Sequence, residues 1–361
     1  PNRNLPPTTT NSVEAGLELR FLNSRIGRDF TYYSQISRNQ IMSMASSDTS
    51  GYPYRLINAG EIENRGIEIA LNTRPVQVGD FSWDLNLNFS KNNNKVLSLV
   101  EGTDMFELEK AAWLDVQVAA KVGENYGSLL GPDFLRNENG DVLIDPKTGL
   151  PQYDRDNHVL GNASWDWTGG VVTTFTYKKL TLSAIFDVKV GADLYSMSAR
   201  AAYESGKSPE TLKGREAWYR SEQDRQAAGI PKGDQWAPTG GFVAPGVIDN
   251  GDGTYRPNDI YINPEDYWFS VCRNAPSMFI YDNSYVKCRE LTLSYQVPTS
   301  WTRGVLKSLT VSFVARNPFI VWKNIPNFDP DSNYNNTTGM GLEYGSLPSR
   351  KSFGFNLNVK F

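Results

Sequence analysis

The sequence is poor in the residues from which most catalytic and metal sites are built. It contains two cysteines, Cys272 and Cys288, and one histidine, His158, among 361 residues. Two cysteines exclude a disulfide framework and a cysteine-rich metal site, and they leave one bridge and two free thiols as open alternatives. A single histidine excludes a multi-histidine zinc site and gives a Ser/His/Asp triad only one candidate base. We interpret His158 as a solvated loop residue, and we expect neither enzymatic activity nor a cofactor.

The chain also lacks an excess of positive charge and any long apolar run. Its formal net charge is -4 and its pI is about 5.3, so no basic field attracts phosphates and nucleic acid is not expected as a partner. No apolar run reaches the roughly 18 residues of a membrane-spanning helix, and the mean hydropathy is -0.46. These values exclude a spanning helix but not a spanning β-barrel, whose strands are apolar only at every second position.

What the sequence does contain is a repeated alternation of apolar and polar residues. Between residues 81 and 89 the odd positions are apolar or aromatic and the even positions are polar, and residues 352–361 follow the same rule. This period of two is typical of strands with one apolar face. It predicts nine strands long enough to cross a bilayer when tilted, at 13–21, 26–36, 62–73, 81–89, 163–177, 180–190, 285–296, 309–316 and 351–361.

A soluble β-sandwich also alternates, but two further patterns favour a membrane barrel. Aromatic residues mark the strand ends, as in interfacial girdles, at Tyr32, Tyr33, Trp165, Trp167, Tyr177, Tyr285, Tyr295 and Phe361. Connections also alternate in length, with short links at 22–25, 74–80, 178–179 and 297–306 and long ones at 37–61, 92–162, 191–284 and 317–351. The predicted fold is an all-β transmembrane antiparallel barrel with periplasmic short links and extracellular long loops.

The long loops carry local signals of their own. Residues 199–228 predict one or two short surface helices, and residues 137–152 predict a hairpin followed by turns. The pair Asp329 and Asp331 could serve as a catalytic acid and base or begin a calcium loop, but the run DPDSN is more typical of an Asx-turn. Nine strands cannot close a simple antiparallel barrel, so we expect this chain to supply about nine or ten strands of a larger one.

Several segments closely resemble SusC/RagA outer-membrane proteins, and they occur in the same order along nearly the whole chain. The longest are NAGEIENRGIEIALN at 58–72 and FSWDLNLNFSKNNNKVLSL at 81–99. The others are ENYGSLLGPDF (124–134), VLGNASWDWTGGV (159–171), YVKCRELTLSYQVP (285–298), ARNPFIVW (315–322) and the final PSRKSFGFNLNVKF.

The resemblance implies a TonB-dependent importer of oligosaccharides or oligopeptides in the outer membrane of a Gram-negative bacterium. It implies a 22-stranded barrel in which residues 1–361 form the C-terminal part of the wall, with a plug domain expected before residue 1. It also implies two protein partners, a SusD-like lipoprotein lid and the TonB complex. The alternatives are a passive porin or surface adhesin barrel, for which a plug discriminates, and a secreted β-rich glycan-binding or glycan-degrading protein, for which detergent-free solubility discriminates.

Aromatic residues of the long loops are the candidate substrate-binding residues. An aromatic face can stack on a sugar ring or hold a peptide side chain while neighbouring Asn and Asp side chains accept hydrogen bonds. The alternative is that these rings pack the loops together or against the lid. The candidates are Trp218, Tyr219, Trp236, Tyr267, Trp268 and Tyr334.

The resemblance further implies that the final aromatic strand is read by the barrel-insertion machinery, with Phe361 as an assembly signal. Deleting Phe361 is expected to lower the amount of barrel in the outer membrane and to leave uptake per assembled molecule unchanged. Quantitative blotting of outer membranes, together with cargo uptake, measures both quantities. Normal assembly with reduced uptake per molecule would contradict the assembly role.

Overall fold

The computed structural model describes residues 5–45, 54–58, 60–111, 116–233, 236–303, 305–335 and 337–361. Parts of the predicted loops 37–61 and 92–162 therefore lie outside the described residues. The described chain is built around one nine-stranded antiparallel sheet, which we call the wall. Each strand of the wall pairs with the wall strands that precede and follow it along the chain. Its strands are β1 (Thr9–Phe21), β2 (Ile26–Arg38), β3 (Glu61–Val78), β4 (Phe81–Ser98), β5 (Trp167–Tyr177), β6 (Leu180–Val190), β7 (Tyr285–Val297), β8 (Ser308–Lys323) and β9 (Ser352–Lys360).

The all-β fold class predicted from the alternation is confirmed, and each predicted strand has its counterpart in this wall. In the described residues the wall is open, with β1 and β9 at its edges. The total of 22 strands stays a prediction. All four short links, at 22–25, 79–80, 178–179 and 298–307, lie at one end of the sheet because consecutive strands are antiparallel.

The strand register places the apolar residues of neighbouring strands on one continuous face. Leu87 of β4 lies opposite Val171 of β5, and Phe313 of β8 lies opposite Phe355 of β9. The intervening positions form a polar face, on which Asn72 lies opposite Asn86. Two ion pairs lie on the polar face, Asp84 with Arg74 and Glu290 with Arg316. In a barrel this face lines the lumen, and it carries Asp84, Asn86, Glu290, Arg316 and Asn356.

Strands β3, β4 and β8 are longer than the alternation predicts. β3 continues to Val78 because the ladder shifts register between Thr73 and Val76, which accommodates Pro75 in a bulge. β4 continues to Ser98 through the polar run SKNNNKVLS, where β3 still supplies the hydrogen bonds although the apolar stripe has ended. The alternation of apolar and polar residues therefore predicts the part of each strand that has an apolar face, and not the full length of the strand.

A bulge at Arg289 divides β7 into two halves with opposite phase. Below it Leu291 lies opposite Ala184 on the apolar face, whereas above it Cys288 lies opposite Phe186 on that same face. The extra residue changes the parity of the alternation. Simple alternation along β7 predicts Cys288 on the polar, lumen-side face, and this prediction is wrong because of the bulge.

Both cysteines are buried free thiols. Of the two alternatives, one disulfide bridge or two free thiols, the structure shows the second. Cys272 lies in the long loop 191–284, in a segment that the structure shows to be helical. Burial raises the pKa of its thiol to about 12, so the thiol is protonated and unreactive at neutral pH.

The long connections contain three helices, which we label α1 (Met197–Glu204), α2 (Arg215–Ala227) and α3 (Pro264–Asn274). The first two confirm the helices predicted within 199–228, and a turn at 137–140 closed by bridges confirms the predicted hairpin. None of the described helices is long and apolar enough to cross a bilayer. Two 3-10 turns lie at Pro209–Leu212 and Pro276–Phe279, and short strands lie at Ile41–Ala45, Tyr54–Asn58, Met105–Lys110, Gln117–Lys121, Ser128–Phe134, Tyr153–Asn162, Asp193–Ser196, Phe242–Val243, Val247–Asp249, Tyr255–Pro257, Tyr261–Ile262, Ile280–Asp282 and Leu342–Glu343.

The register gives a test of which face of the wall meets lipid. Leu85→Arg places a charge on the apolar face and is expected to reduce assembly, because arginine near the membrane midplane costs about 2 to 4 kcal/mol. Asn86→Arg places the same charge on the polar face one residue away and is expected to assemble normally. Heat-modifiable gel mobility of outer-membrane fractions measures both, and equal assembly would show that the faces are assigned wrongly.

Candidate functional site

The loops at the end of the wall opposite the short links pack into a layer with its own hydrophobic core. Helix α3 begins at Pro264, where the Asn263 side chain accepts a hydrogen bond from the Glu265 backbone N–H. Its inner face buries Tyr267, Trp268 and neighbouring side chains. The cluster comprises Ile144, Ala244, Ile248, Ile262, Tyr267, Trp268, Val271 and Ala275. Helix α3 is therefore held by apolar packing, and Tyr203 of α1 packs against the same cluster.

A cleft of about 560 Å³ lies between the three helices. Four aromatic side chains line it, Tyr203 from α1, Trp218 and Tyr219 from α2, and Trp268 from α3. The ring of Tyr203 lies 4.8 Å from that of Trp268, and Tyr219 is 66% exposed. The other lining residues are mostly polar, namely Glu204, Ser205, Gly206, Thr211, Arg215, Glu222, Lys232, Asn263, Pro264 and Glu265.

Several of these polar groups are already fixed by contacts inside the loops. Glu222 pairs with Arg225 at 3.0 Å, and Glu204 pairs with Arg200 at 3.3 Å. Hydrogen bonds from Arg225 lower the pKa of the Glu222 carboxyl, which is therefore ionised at neutral pH. Arg215 donates to the carbonyl oxygens of Thr211 and Gly206. The cleft thus offers oriented acceptors and donors beside aromatic faces.

This combination suits binding more than bond breaking. Aromatic faces bind the apolar side of a sugar ring or of a peptide side chain, and a few oriented polar groups fix its orientation. Within the described residues, no group of three or more His, Cys, Asp or Glu side chains is placed to hold a metal ion.

The structure brings together three of the six candidate aromatic residues, Trp218, Tyr219 and Trp268. Tyr267 is 3% exposed and packs beneath the cleft against Phe242, and Trp268 is 6% exposed in the same cluster, so burial favours the packing alternative for both rings.

The other two candidates, Trp236 and Tyr334, do not line the cleft. Trp236 is half-buried, and its indole N–H is buried without a hydrogen-bond partner in the structure. Tyr334 is 56% exposed and lies in another loop beside Tyr344.

Sequence reasoning missed Tyr203 and helix α3. The helix had a recognisable start, with Asn263 before Pro264 and two acidic residues in the first turn. Tyr203 lies inside the segment predicted to be helical, but nothing in its spacing indicated that its ring would meet those of another helix.

A buried charge network attaches the loop 324–351 to the wall. Lys287 of β7 is almost completely buried, and its Nζ lies 3.0 Å from a carboxylate oxygen of Asp329 and 2.6 Å from one of Asp331. Arg289 bridges Asp331 and Asp187 of β6. The Asx-turn predicted at Asp329 is confirmed, since its carboxylate accepts from the Asp331 backbone N–H at 3.0 Å. The same aspartates also hold the loop to β6 and β7.

The network keeps its aspartates ionised. Burial alone would raise the pKa of Asp331, but hydrogen bonds from Arg289 and Lys287 outweigh burial and hold the pKa well below its usual range. The pKa of Asp329 is also lowered, because hydrogen bonds from Ser349, Asp331 and Lys287 outweigh its burial. Stability from depressed carboxylate pKa values is present above the unfolded pKa and is lost only as the pH falls through the folded one. The attachment is therefore expected to persist at mildly acidic pH.

A second buried carboxylate, Glu343, joins the loop 324–351 to the loop 191–284. It accepts hydrogen bonds from the hydroxyls of Ser196 and Ser198, each at 2.7 Å, and from the Ser198 backbone N–H at 3.1 Å. These donors lie at the N-terminus of α1, where a negative charge is favourable. Tyr195 also pairs in parallel with Leu342. The cleft-bearing loop is therefore tied to the loop that the charge network anchors on the wall.

Comparison with known proteins agrees with this architecture. Residues 1–107 match the family model described as TonB dependent receptor-like, beta-barrel. Two receptors of Formosa agariphila, TonB-dependent receptors P3 and P26, are 23% and 27% identical over 100% of this chain and 35% of their own length. TonB-dependent receptor SusC of Bacteroides thetaiotaomicron is 22% identical over 100% of this chain and 32% of its own. The chain spans about a third of the length of these relatives.

Solved structures share the fold. The RagAB peptide transporter superimposes on 98% of this chain and 35% of the matched chain with a TM-score of 0.67 and 17% identity. The 'open-open' state of the RagAB peptide importer gives a TM-score of 0.66 at 18% identity, over 98% of this chain and 34% of the matched chain. The antiparallel wall and these matches together identify a TonB-dependent receptor β-barrel fold. The resemblance to SusC and RagA seen in the sequence is thereby confirmed.

The charge network yields a prediction about the loop 324–351. Lys287→Met leaves two buried aspartates with less compensation, and breaking a buried ion pair costs about 3 to 5 kcal/mol. We expect faster hydrogen exchange for the amides of this loop, with exchange in β1–β6 unchanged, as measured by mass spectrometry. Lys147→Met, at an exposed loop position, is the control. Unchanged exchange in the Lys287 variant would show that the loop is held by other contacts.

Proposed function

We propose that this chain forms wall strands and extracellular loops of an outer-membrane transporter that imports oligosaccharides or oligopeptides. The fold of the wall and the relatives named TonB-dependent receptors support TonB-dependent uptake. The cleft between α1, α2 and α3 is the observation that carries the binding role, because it combines aromatic faces with oriented polar groups. Cargo would be captured at this loop layer before it passes along the polar face of the wall.

We also propose that a SusD-like lipoprotein covers the loop layer. The structures that share the fold are those of the RagAB peptide transporter and importer, and SusC is among the relatives. A lid accounts for apolar side chains that the loop layer leaves in solvent, such as Tyr219 and Leu347, which is 83% exposed. Partner contact and cargo contact are compatible roles for this surface.

Cargo binding at the cleft is tested with Trp218→Ala. Loss of the ring is expected to weaken binding about tenfold, equivalent to about 1.4 kcal/mol, as for an aromatic contact of moderate importance. Isothermal titration of the purified protein with a panel of oligosaccharides and oligopeptides measures affinity and also shows which class binds. Trp301→Ala is the matched control, since Trp301 is 71% exposed in the link 298–307 at the other end of the wall. Equal affinity of both variants for every bound cargo would exclude the cleft as the binding site.

Energised transport is tested separately by uptake in cells with and without TonB. A TonB-dependent importer is expected to accumulate the cargo identified by titration only when TonB is present. Uptake that is unchanged without TonB would favour a passive porin, and cargo binding without any uptake would favour an adhesin.

A further inference from the structure

The apolar face of the wall contains a recess of about 510 Å³. At one end of it Gly169 of β5 lies between Phe89 of β4 and Val188 of β6, its partners in register. The Trp167 ring lies at the same end, 5.5 Å from the Phe89 ring. The volume is within the roughly 300 to 1,000 Å³ range of small-molecule sites. The lining residues are Phe21, Ile26, Arg28, Ile69, Leu71, Leu87, Asn88, Phe89, Trp167, Gly169, Gly170, Val171 and Val188.

Arg28 is the charged side chain in this otherwise apolar lining. Its register partners are Leu19 of β1 and Leu71 of β3, which places it on the apolar face. It is exposed and has no ion pair or side-chain hydrogen bond with any of the residues that the structure describes. Two other arginines in the same phase differ from it, because Arg38 pairs with Glu61 and Arg65 with Glu63. The recess therefore carries an uncompensated positive charge at its edge.

The height of Arg28 in the wall fits a lipid headgroup. It is the third residue of β2, after the short link at 22–25, so it lies about 7 to 10 Å along the strand from that link. An arginine on the lipid face costs about 2 to 4 kcal/mol at the membrane midplane and about 0 to 1 near an interface. A guanidinium binds phosphate through two parallel hydrogen bonds, and its aliphatic stem can lie along apolar surface.

We propose that Arg28 and the recess beside Gly169 form a binding site for one glycerophospholipid of the periplasmic leaflet. The headgroup phosphate pairs with Arg28, and an acyl chain runs from there along its register partners Leu71, Leu87 and Val171 toward Gly169, which lies near the long-loop end of β5. The inference rests on the membrane placement proposed above. It goes beyond that placement by assigning a specific lipid contact to one region of the wall.

The test is native mass spectrometry of the protein purified from its own membranes and titrated with phosphatidylglycerol. Arg28→Gln is expected to weaken lipid binding about fivefold, the effect of losing one basic side chain near a lipid surface. The matched control is Arg20→Gln, because Arg20 lies one register position away, opposite Gly27, on the polar face. Gly169→Leu fills the recess without changing charge and is expected to weaken binding as well.

Further arms distinguish the phosphate from the chains. Diacylglycerol, which lacks phosphate, is expected to bind with the same low affinity to the wild type and to Arg28→Gln, and inorganic phosphate alone is expected not to bind detectably. Equal phosphatidylglycerol binding by Arg28→Gln and Arg20→Gln, in protein that assembles normally, would overturn the lipid site. Failure of the wild type to enter lipid vesicles would overturn the membrane placement instead, so the two failures are distinguishable.

Discussion

The constraint on which the whole structure depends is that backbone N–H and C=O groups cannot be left unpaired in hydrocarbon. A sheet satisfies this requirement by pairing strands, and in the proposed membrane placement one side of the sheet faces lipid while the other faces polar contents. Each wall strand therefore repeats the same division, with leucine, valine and aromatic side chains on one face and asparagine, serine and threonine on the other. The cross-strand pairs Leu87 with Val171 and Asn72 with Asn86 are two local expressions of that rule.

The loop layer is governed by a different rule, the packing of a soluble core. Tyr267 and Val271 of α3 are buried among residues from three separate loop segments. Two acidic side chains then hold this layer in place. Asp331 pairs with Lys287 and Arg289 of the wall, and Glu343 binds the start of α1 and so joins the loops to one another. A binding cleft formed by side chains from three helices requires such a foundation, because a cleft keeps its shape only if the helices do.

The wall could be predicted from the sequence because its signal is local. The alternation at 81–89 contains its own evidence of strand and face, and the alternating link lengths gave the arrangement of the loops. The cleft could be predicted only in part. Trp218 and Tyr219 stood out as aromatic residues on a predicted surface helix, but the approach of Tyr203 to Trp268 joins residues 65 positions apart. Lys287 and Arg289 offered a weak signal, two basic residues at alternate positions of an amphipathic strand, whose meaning depended on aspartates in a distant loop.

The bulge at Arg289 exchanges the faces of β7, so that side chains of the same parity lie on the apolar face on one side of the bulge and point to the loops on the other. On the short-link side of the bulge the odd-numbered side chains lie on the apolar face, whereas on the other side the odd-numbered Tyr285 and Lys287 point inward to the loop aspartates. One inserted residue thus sets the point along β7 at which the strand stops contributing to the wall and begins to anchor the loops. Without this residue the strands would still pair, but Tyr285 and Lys287 would point to the apolar face and Cys288 would point to the loops. The rim of the wall is therefore encoded by a single-residue shift in register, with no change in the kinds of residue used.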